Sequence, residues 1–285
     1  MLRPPPHLAL FSLVPFEGNE RAKLAIAHPS NARYLSTLPD GKEGLDVGFH
    51  FRSKSCTTLA TLGRGVEADI YVEGSNIAKL QCSFELDLGT GVVMFYDRSH
   101  GCTTQVFGKN AMPFEYQRTR KVLVQKGLNN IIGMGGERCN LYQFELKWHH
   151  DPIERGNAIE NYDAQQPSWG QEENTRLAQT MGEAPTDLPS RRNTRPHTPG
   201  STLRMRYLKV GNKLGSGQFG SVYKAIDVDS GRLMAIKILE QPVRASQQKD
   251  WKISLLYAMK REVEILSNIS HVSNNRTISM ILTCI

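Results

Sequence analysis

A chain of 285 residues, 39% hydrophobic and 22% charged, has the length of two ordinary domains and the balance of a globular protein. Its longest apolar runs, such as Leu8 to Val14, fall far short of the ~20 residues a membrane helix needs, so no membrane partner is expected. Five cysteines (Cys56, Cys82, Cys102, Cys139, Cys284), odd in number and without a C-x-x-C pair, argue against a disulfide framework or a zinc site. They favour a reducing, intracellular setting, nucleus or cytoplasm.

Leu8 to Val14 reads as a β-strand; it lacks the basic flank and small-residue cleavage site of a signal peptide. Glu17 to Pro39 breaks the pattern, as a helical insertion or a long loop. Strict alternation resumes in CSFELDL (82–88), with Cys82, Phe84, Leu86 and Leu88 on one face, and VVMFY returns after a Gly89-Thr90-Gly91 turn. YQFELKW (142–148) alternates likewise, as KVLV and NIIG do more briefly. Many short strands with frequent turns predict an antiparallel β-sandwich over residues 8–150.

From Asp151 to Arg206 periodicity disappears, and the composition is too polar to offset the entropy of ordering. A disordered linker is expected over 151–206, with Thr194 and Thr198 in accessible contexts. The linker is acidic up to Asp187, then carries Arg191, Arg192, Arg195, Arg204 and Arg206 with no acid among them. Such a run suits phosphates on nucleic acid, but no aromatic residue interrupts it, and a solvated linker is the favoured reading over a nucleic-acid partner.

After the linker, YLKVGNKLGSGQFGSVYKAIDVDSGRLMAIKIL reads as three strands, with Asp229-Ser230-Gly231 turning between the second and third. A helix follows, with Ile253, Leu256, Tyr257, Met259, Val263 and Leu266 at helical spacing. The glycines Gly215, Gly217 and Gly220 give the G-x-G-x-x-G spacing of a backbone that folds over phosphates. A dinucleotide-binding fingerprint would open a helix next, yet SVYKAID suits a strand. No Lys-Ser or Lys-Thr follows, which excludes a Walker loop.

The pattern closely resembles the protein-kinase family: a glycine-rich loop with Val222 two residues on, then AIK with its third-strand lysine at Lys237. The resemblance implies an ATP site made by Leu214, Gly215, Ser216, Gly217, Gln218, Phe219, Gly220, Ser221, Val222, Ala235 and Lys237. REVEILSNISH resembles the end of the family's αC helix, so Glu262 is expected to pair with Lys237, with Glu264 as the rival. After His271 the sequence reads VSNNRTISMILTCI, without an H-R-D or D-F-G segment. Residues 207–285 are therefore expected to be the N-terminal part of a kinase domain, an incomplete α+β lobe. The expected site holds no catalytic residue and no Mg²⁺ ligand, and the sheet edge beyond the helix is expected to be open.

The sandwich resembles a second family, the forkhead-associated (FHA) domains. TLGRGVEADIYV carries its Gly-Arg pair ahead of an Asp-Ile strand, and DRSHGCTTQVFG resembles its D-x-S-x-N-G-T turn. The resemblance implies phosphothreonine binding, with Arg64 and Lys79 supplying the cations. Ala78 stands in place of that family's phosphate-binding serine, Gln81 in place of its structural histidine, and Gly101-Cys102 in place of Asn-Gly. FHA module, linker and kinase domain in that order resemble the checkpoint-type Ser/Thr kinases of fungi. That architecture implies protein substrates and phosphothreonine-bearing partners, bound weakly. The alternative reading is a non-enzymatic FHA-type scaffold.

Overall fold

The computed structural model describes residues 3–50, 55–114, 119–150, 206–242, 244–268 and 281–284. The expected linker, 151–206, lies outside these residues except for its last member. Two compact units emerge, drawn mainly from the chain up to Arg204 and from Met205 onward. Among the described residues no helix is long and apolar enough to cross a membrane.

The first unit is built from two sheets. Strands β1 (Ala9–Pro15), β2 (Leu35–Thr37), β3 (Glu43–Gly48), β8 (Thr104–Phe107), β10 (Ile131–Met134) and β11 (Tyr142–Trp148) form one, in the order β2-β3-β1-β11-β10-β8. The other is β5-β4-β6-β7-β9, from β4 (Thr58–Gly63), β5 (Ile70–Tyr71), β6 (Cys82–Leu86), β7 (Val93–Asp97) and β9 (Lys121–Val124). Alternation sends one set of side chains inward from each sheet. Phe11 of β1 meets Phe84 of β6 edge to face with centroids 5.0 Å apart, and Phe84 meets Phe95 of β7 at 4.9 Å. Phe11, Phe84, Phe95 and Phe144 are all fully buried. The sandwich follows from the sequence pattern.

The predicted hairpin at 82–96 forms, with one difference. β6 ends at Leu86, and Leu88 is 56% exposed rather than on the inner face. The strand stops because Asp87 turns its carboxylate to the backbone, where Oδ1 accepts from the N–H groups of Gly89 and Thr90.

The segment over Glu17–Pro39 is a helical insertion, with 3₁₀ turns at Phe16–Gly18 and Pro29–Tyr34 flanking helix α1 (Glu20–Ala27). Asn19 caps α1 through its side-chain oxygen, which accepts from Ala22 N–H. Asn31, fully buried, brackets the edge strand β5: its oxygen accepts from Tyr71 N–H and its nitrogen donates to Tyr71 C=O, both at 2.8 Å. Those are groups an edge strand otherwise leaves unpaired.

A buried polar network crosses β1, β2, β3 and the end of β11. Asp46 accepts from Ser12 Oγ (2.6 Å) and Ser36 Oγ (2.7 Å), and Ser12 Oγ lies 2.7 Å from His149 Nε2. Since Ser12 gives its proton to Asp46, His149 donates. Burial lowers the pKa of His149 and of nearby His50, and the Asp46 charge opposes that shift in both.

The second unit is a four-stranded sheet, β12-β13-β14-β15, with one long helix. β12 (Tyr207–Gly217), β13 (Gly220–Asp227) and β14 (Leu233–Leu239) are the three predicted strands, antiparallel in sequence order. Helix α2 spans Ala245–Asn268, and β15 (Ile281–Cys284) then pairs in parallel with β14. The expected open edge is thus corrected: strand-helix-strand connectivity brings the chain back beside β14, where its free N–H and C=O groups are paired. The packed face of α2 also differs from the expectation. Leu255 is buried against Phe219 and Leu239 with Trp251, Ala258 and Met259 around it, while Ile253, Leu256 and Tyr257 are 48%, 64% and 74% exposed.

Candidate functional site

Two candidate sites stand on the two units. In the second, strand register decides what the glycine loop faces. Gly217 pairs with Gly220, Gly215 with Val222, Val222 with Lys237 and Lys224 with Ala235. Directly opposed residues share a face of a sheet, and positions two apart on one strand share it too. Gly215, Gly217, Gly220, Val222, Ala235 and Lys237 therefore lie on one face, while Leu214, Ser216 and Ser221 alternate to the other. Gln218 and Phe219 form the hairpin turn.

The glycines on that face differ in what they leave open. A Cβ at Gly215 or Gly217 would meet nothing within 4 Å, so the backbone there is bare and approachable. A Cβ at Gly220 would lie 2.0 Å from Ile238 C=O, so this glycine exists for strand packing. Phe219 folds back from the turn, 6% exposed, and meets Trp251 edge to face at 6.4 Å. Ser221, also buried, donates to Glu240 Oε1 at 3.0 Å, which ties β13 to the end of β14. Lys237 is half-buried. The expected partner side chain, Glu262, lies outside the described residues. The rival Glu264 is exposed.

On the sandwich the cations expected to meet phosphate lie on adjoining loops. Arg64 N–H donates to Ala78 C=O and Gly65 N–H to Lys79 C=O, both at 3.0 Å, so segments 64–65 and 78–79 run side by side. Gly63 permits this approach, since a Cβ there would lie 2.1 Å from Lys79 C=O. Arg64 Nε donates to Ile77 C=O at 2.7 Å, which fixes the base of an otherwise exposed guanidinium. Lys79 is exposed as well, and neither cation has a carboxylate partner among the described residues. Cations at this spacing, without counter-charges, suit a dianion.

Gln81 holds these loops in place. Fully buried, it accepts from Ala78 N–H (2.8 Å) and donates to the hydroxyls of Thr103 (2.9 Å) and Thr104 (2.8 Å). The Asp97–Thr103 turn is fixed in turn: Asp97 accepts from Ser99 N–H and hydroxyl, and Ser99 Oγ accepts from Thr103 N–H. Arg120 completes the brace, donating to Asp97 Oδ2 (2.7 Å) and to Thr104 C=O (2.6 Å). Sequence reading did not find Arg120, 23 residues away from Asp97. No sequence signal marks such a pair.

Residues 208–283 match the family model of the protein kinase domain. The chain is 37% identical over 71 residues to CBL-interacting protein kinase 28 of Oryza sativa subsp. japonica, covering 25% of this chain and 15% of that protein. It is 40% identical over 64 residues to mitogen-activated protein kinase kinase kinase 3 of Arabidopsis thaliana, covering 22% and 10%. The chain therefore spans a small part of the curated relatives it matches. Among solved structures, that of Rad53 1-466 in complex with AMP-PNP is similar at a TM-score of 0.45 and 14% identity, covering 94% of this chain and 51% of that one. The described part of residues 208–283, the stretch similar to the protein kinase domain, is a four-stranded sheet with one long helix.

Proposed function

We propose that this chain is part of a Ser/Thr protein kinase whose N-terminal sandwich is an FHA module for phosphothreonine. The observation that carries the kinase reading is the shared sheet face of Gly215, Gly217, Val222, Ala235 and Lys237, within the stretch that matches the kinase domain. The residues on that face fit ATP: the bare backbone of Gly215 and Gly217 would cover its phosphates, and Lys237 would hold their oxygens. When bound, ATP supplies the transferable phosphoryl group, and the protein's own residues bind and orient it. Among the described residues no three His, Cys, Asp or Glu side chains converge on a metal-sized site, so no step is assigned to Mg²⁺. Within the 285 residues no H-R-D or D-F-G segment occurs, and the reading gives these residues nucleotide binding rather than phosphoryl transfer.

For the sandwich, Arg64 and Lys79 on their braced loops support phosphothreonine recognition. Ala78 and Gly101 offer no side-chain hydrogen bond to the peptide. A charge-assisted bond contributes about 1.5–3 kcal/mol, so affinity is expected to be at least roughly one to two orders of magnitude below that of a site with all contacts. Calorimetry of the full chain against phosphothreonine peptides and their unphosphorylated forms tests this. Weak phosphate-dependent binding, lost in Arg64→Ala, is expected; phosphate-dependent binding that survives Arg64→Ala refutes the site. A fluorescent ATP analogue, displaced by ATP and bound less well by Lys237→Ala, tests the other site independently.

The second reading, a non-enzymatic FHA-type scaffold with protein partners, draws on the braced loops that carry Arg64 and Lys79. Labelled-ATP transfer to a basic Ser/Thr substrate, above a Lys237→Ala control, would exclude it. The cysteine usage and the sequence composition support an intracellular protein in nucleus or cytoplasm.

A further inference from the structure

Cys102 and Cys139 lie 37 residues apart in sequence and meet at the loop end of the sandwich. Cys139 Sγ packs 3.8 Å from Cys102 C=O. Cys102 is exposed and Cys139 half-buried, so one thiol meets solvent directly and the other sits behind it. Both occupy turns, with φ of 52° and 54°. Those turns are already joined by Gly135 N–H donating to Thr103 C=O at 2.8 Å. Arg120 donates to Cys102 C=O at 3.1 Å and places a positive charge beside the Cys139 thiol.

We propose that Cys102 and Cys139 form a dithiol site that closes to an intramolecular disulfide on reaction with a small disulfide oxidant such as glutathione disulfide. The Cys102 thiolate attacks one sulfur of glutathione disulfide, forms a mixed disulfide and expels one glutathione thiolate. The Cys139 thiolate then attacks the Cys102 sulfur and expels the second glutathione. Two thiols and one oxidant become one protein disulfide and two glutathione molecules, so electrons and protons balance. Burial raises the Cys139 thiol pKa, opposed by the Arg120 charge. This fits Cys139 as the resolving partner and the exposed Cys102 as the first to react. A disulfide needs Cα atoms about 4.4–6.8 Å apart, and the 3.8 Å contact brings the Cys139 sulfur to the backbone of Cys102.

The other described thiols lack this arrangement. Cys82 is fully buried in β6 with its pKa raised well above the usual thiol range, and Cys56 is exposed near the start of β4. The bond would tie the Asp97–Thr103 turn to the 135–141 loop, and Thr103 carries Gln81, which holds the Arg64 and Lys79 loops. A change in phosphopeptide affinity is the consequence, and this consequence rests on the phosphothreonine reading proposed above.

The full chain, reduced and then incubated with glutathione disulfide at pH 8, should be mapped by mass spectrometry without reductant. The expected dominant product is a linked pair of peptides carrying Cys102 and Cys139, two hydrogens lighter than the free thiols. It should vanish in Cys102→Ser and in Cys139→Ser and be reversed by dithiothreitol. Persistent glutathione adducts on either residue, or links to Cys56 or Cys284 as the main product, would overturn the proposal. Phosphothreonine-peptide titration of the reduced and oxidised forms separates the two claims. A disulfide with no change in affinity overturns the regulatory consequence alone, and no peptide binding in either form overturns the phosphothreonine reading.

Discussion

The two units solve the same problem to different degrees. In the sandwich two sheets cover each other, and among the described residues the twelve largest fully buried side chains, from Phe11 to Leu123, all belong to it. In the second unit one sheet face is packed by one helix, and the cluster beneath it is Phe219, Leu239 and Leu255. Of the exposed large apolar residues, Leu214, Leu233, Ile253, Leu256 and Tyr257 fall there, against Leu24, Val66 and Leu88 in the sandwich. Apolar burial at roughly 25 cal/mol per Å² must offset about 1–2 kcal/mol of backbone entropy per residue. The closed sandwich meets that demand more fully than the open sheet does.

The sharpest way to break this comparison is to damage the better core. Phe84 touches both Phe11 and Phe95, and Phe84→Ala should cost about 3–5 kcal/mol through lost transfer energy and an unfilled cavity. Hydrogen exchange read by mass spectrometry should show protection falling across β1 to β11, with residues 207–268 unchanged. An equal fall in both regions would mean that they unfold as one body, and the contrast between them would fail.

A smaller effect comes from pH and again separates the units. His50 and His149 have pKa values lowered from 6.5 chiefly by burial. A histidine whose folded pKa lies below its unfolded value takes up its proton more readily on unfolding. Its contribution is fully present above about pH 6.5 and is lost as pH falls through and below that value. The Asp46 charge favours the protonated form of both rings, while Arg3 acts against it at His50 and His150 at His149, so the loss is partial. The urea midpoint of the sandwich should fall between pH 7.5 and pH 5.5, and less steeply in His149→Gln. Residues 207–268 contain no histidine and should not share this drop. A midpoint that rises on acidification would show the sign to be wrong.

What the sequence made legible follows from period and reach. Period-two alternation identified β11, whose burial alternates along the strand, and β6, while β7 was legible as the strand returning after a turn, with Val93, Met94 and Phe95 all buried. The turn at Asp229-Ser230-Gly231 was legible, and because a hairpin connection fixes register locally it brings Lys237 opposite Val222. Contacts that span long separations were not legible. Asn31 serves β5 from 40 residues away, and β15 reaches β14 only after a long helix. The face of α2 was misjudged because the helix has apolar residues on two sides, and the partners Phe219 and Leu239 decide which row is buried. At the loops of Arg64 and Lys79 the sequence revealed substitutions, such as Gln81 for histidine, but not that Gln81 binds three groups at once.

The smallest expected effect tests how firmly the better-packed unit imposes its turns. Glu17, Cys102, Asn129 and Cys139 are the non-glycine residues with positive φ among those described, and all lie in the sandwich. Among the described residues from Arg206 onward positive φ is confined to Gly211, Gly220 and Gly231. A left-handed backbone costs a non-glycine residue roughly 1–2 kcal/mol, which a rigid surrounding can enforce. Cys102 is held there by its neighbours: Ser99 and Thr103 bond to each other around it, and Arg120 grips its carbonyl. Replacing it with glycine removes that strain but adds about 0.5–1 kcal/mol of unfolded-state entropy. Because Cys102 is exposed, little packing is lost. The strain term exceeds the entropy term, so Cys102→Gly should stabilise the sandwich by roughly 0.5–1 kcal/mol, measured by urea denaturation with reductant present throughout. A loss of stability would mean that the cysteine side chain contributes contacts worth more than the strain it carries, and that this turn is chosen for its thiol rather than tolerated despite it.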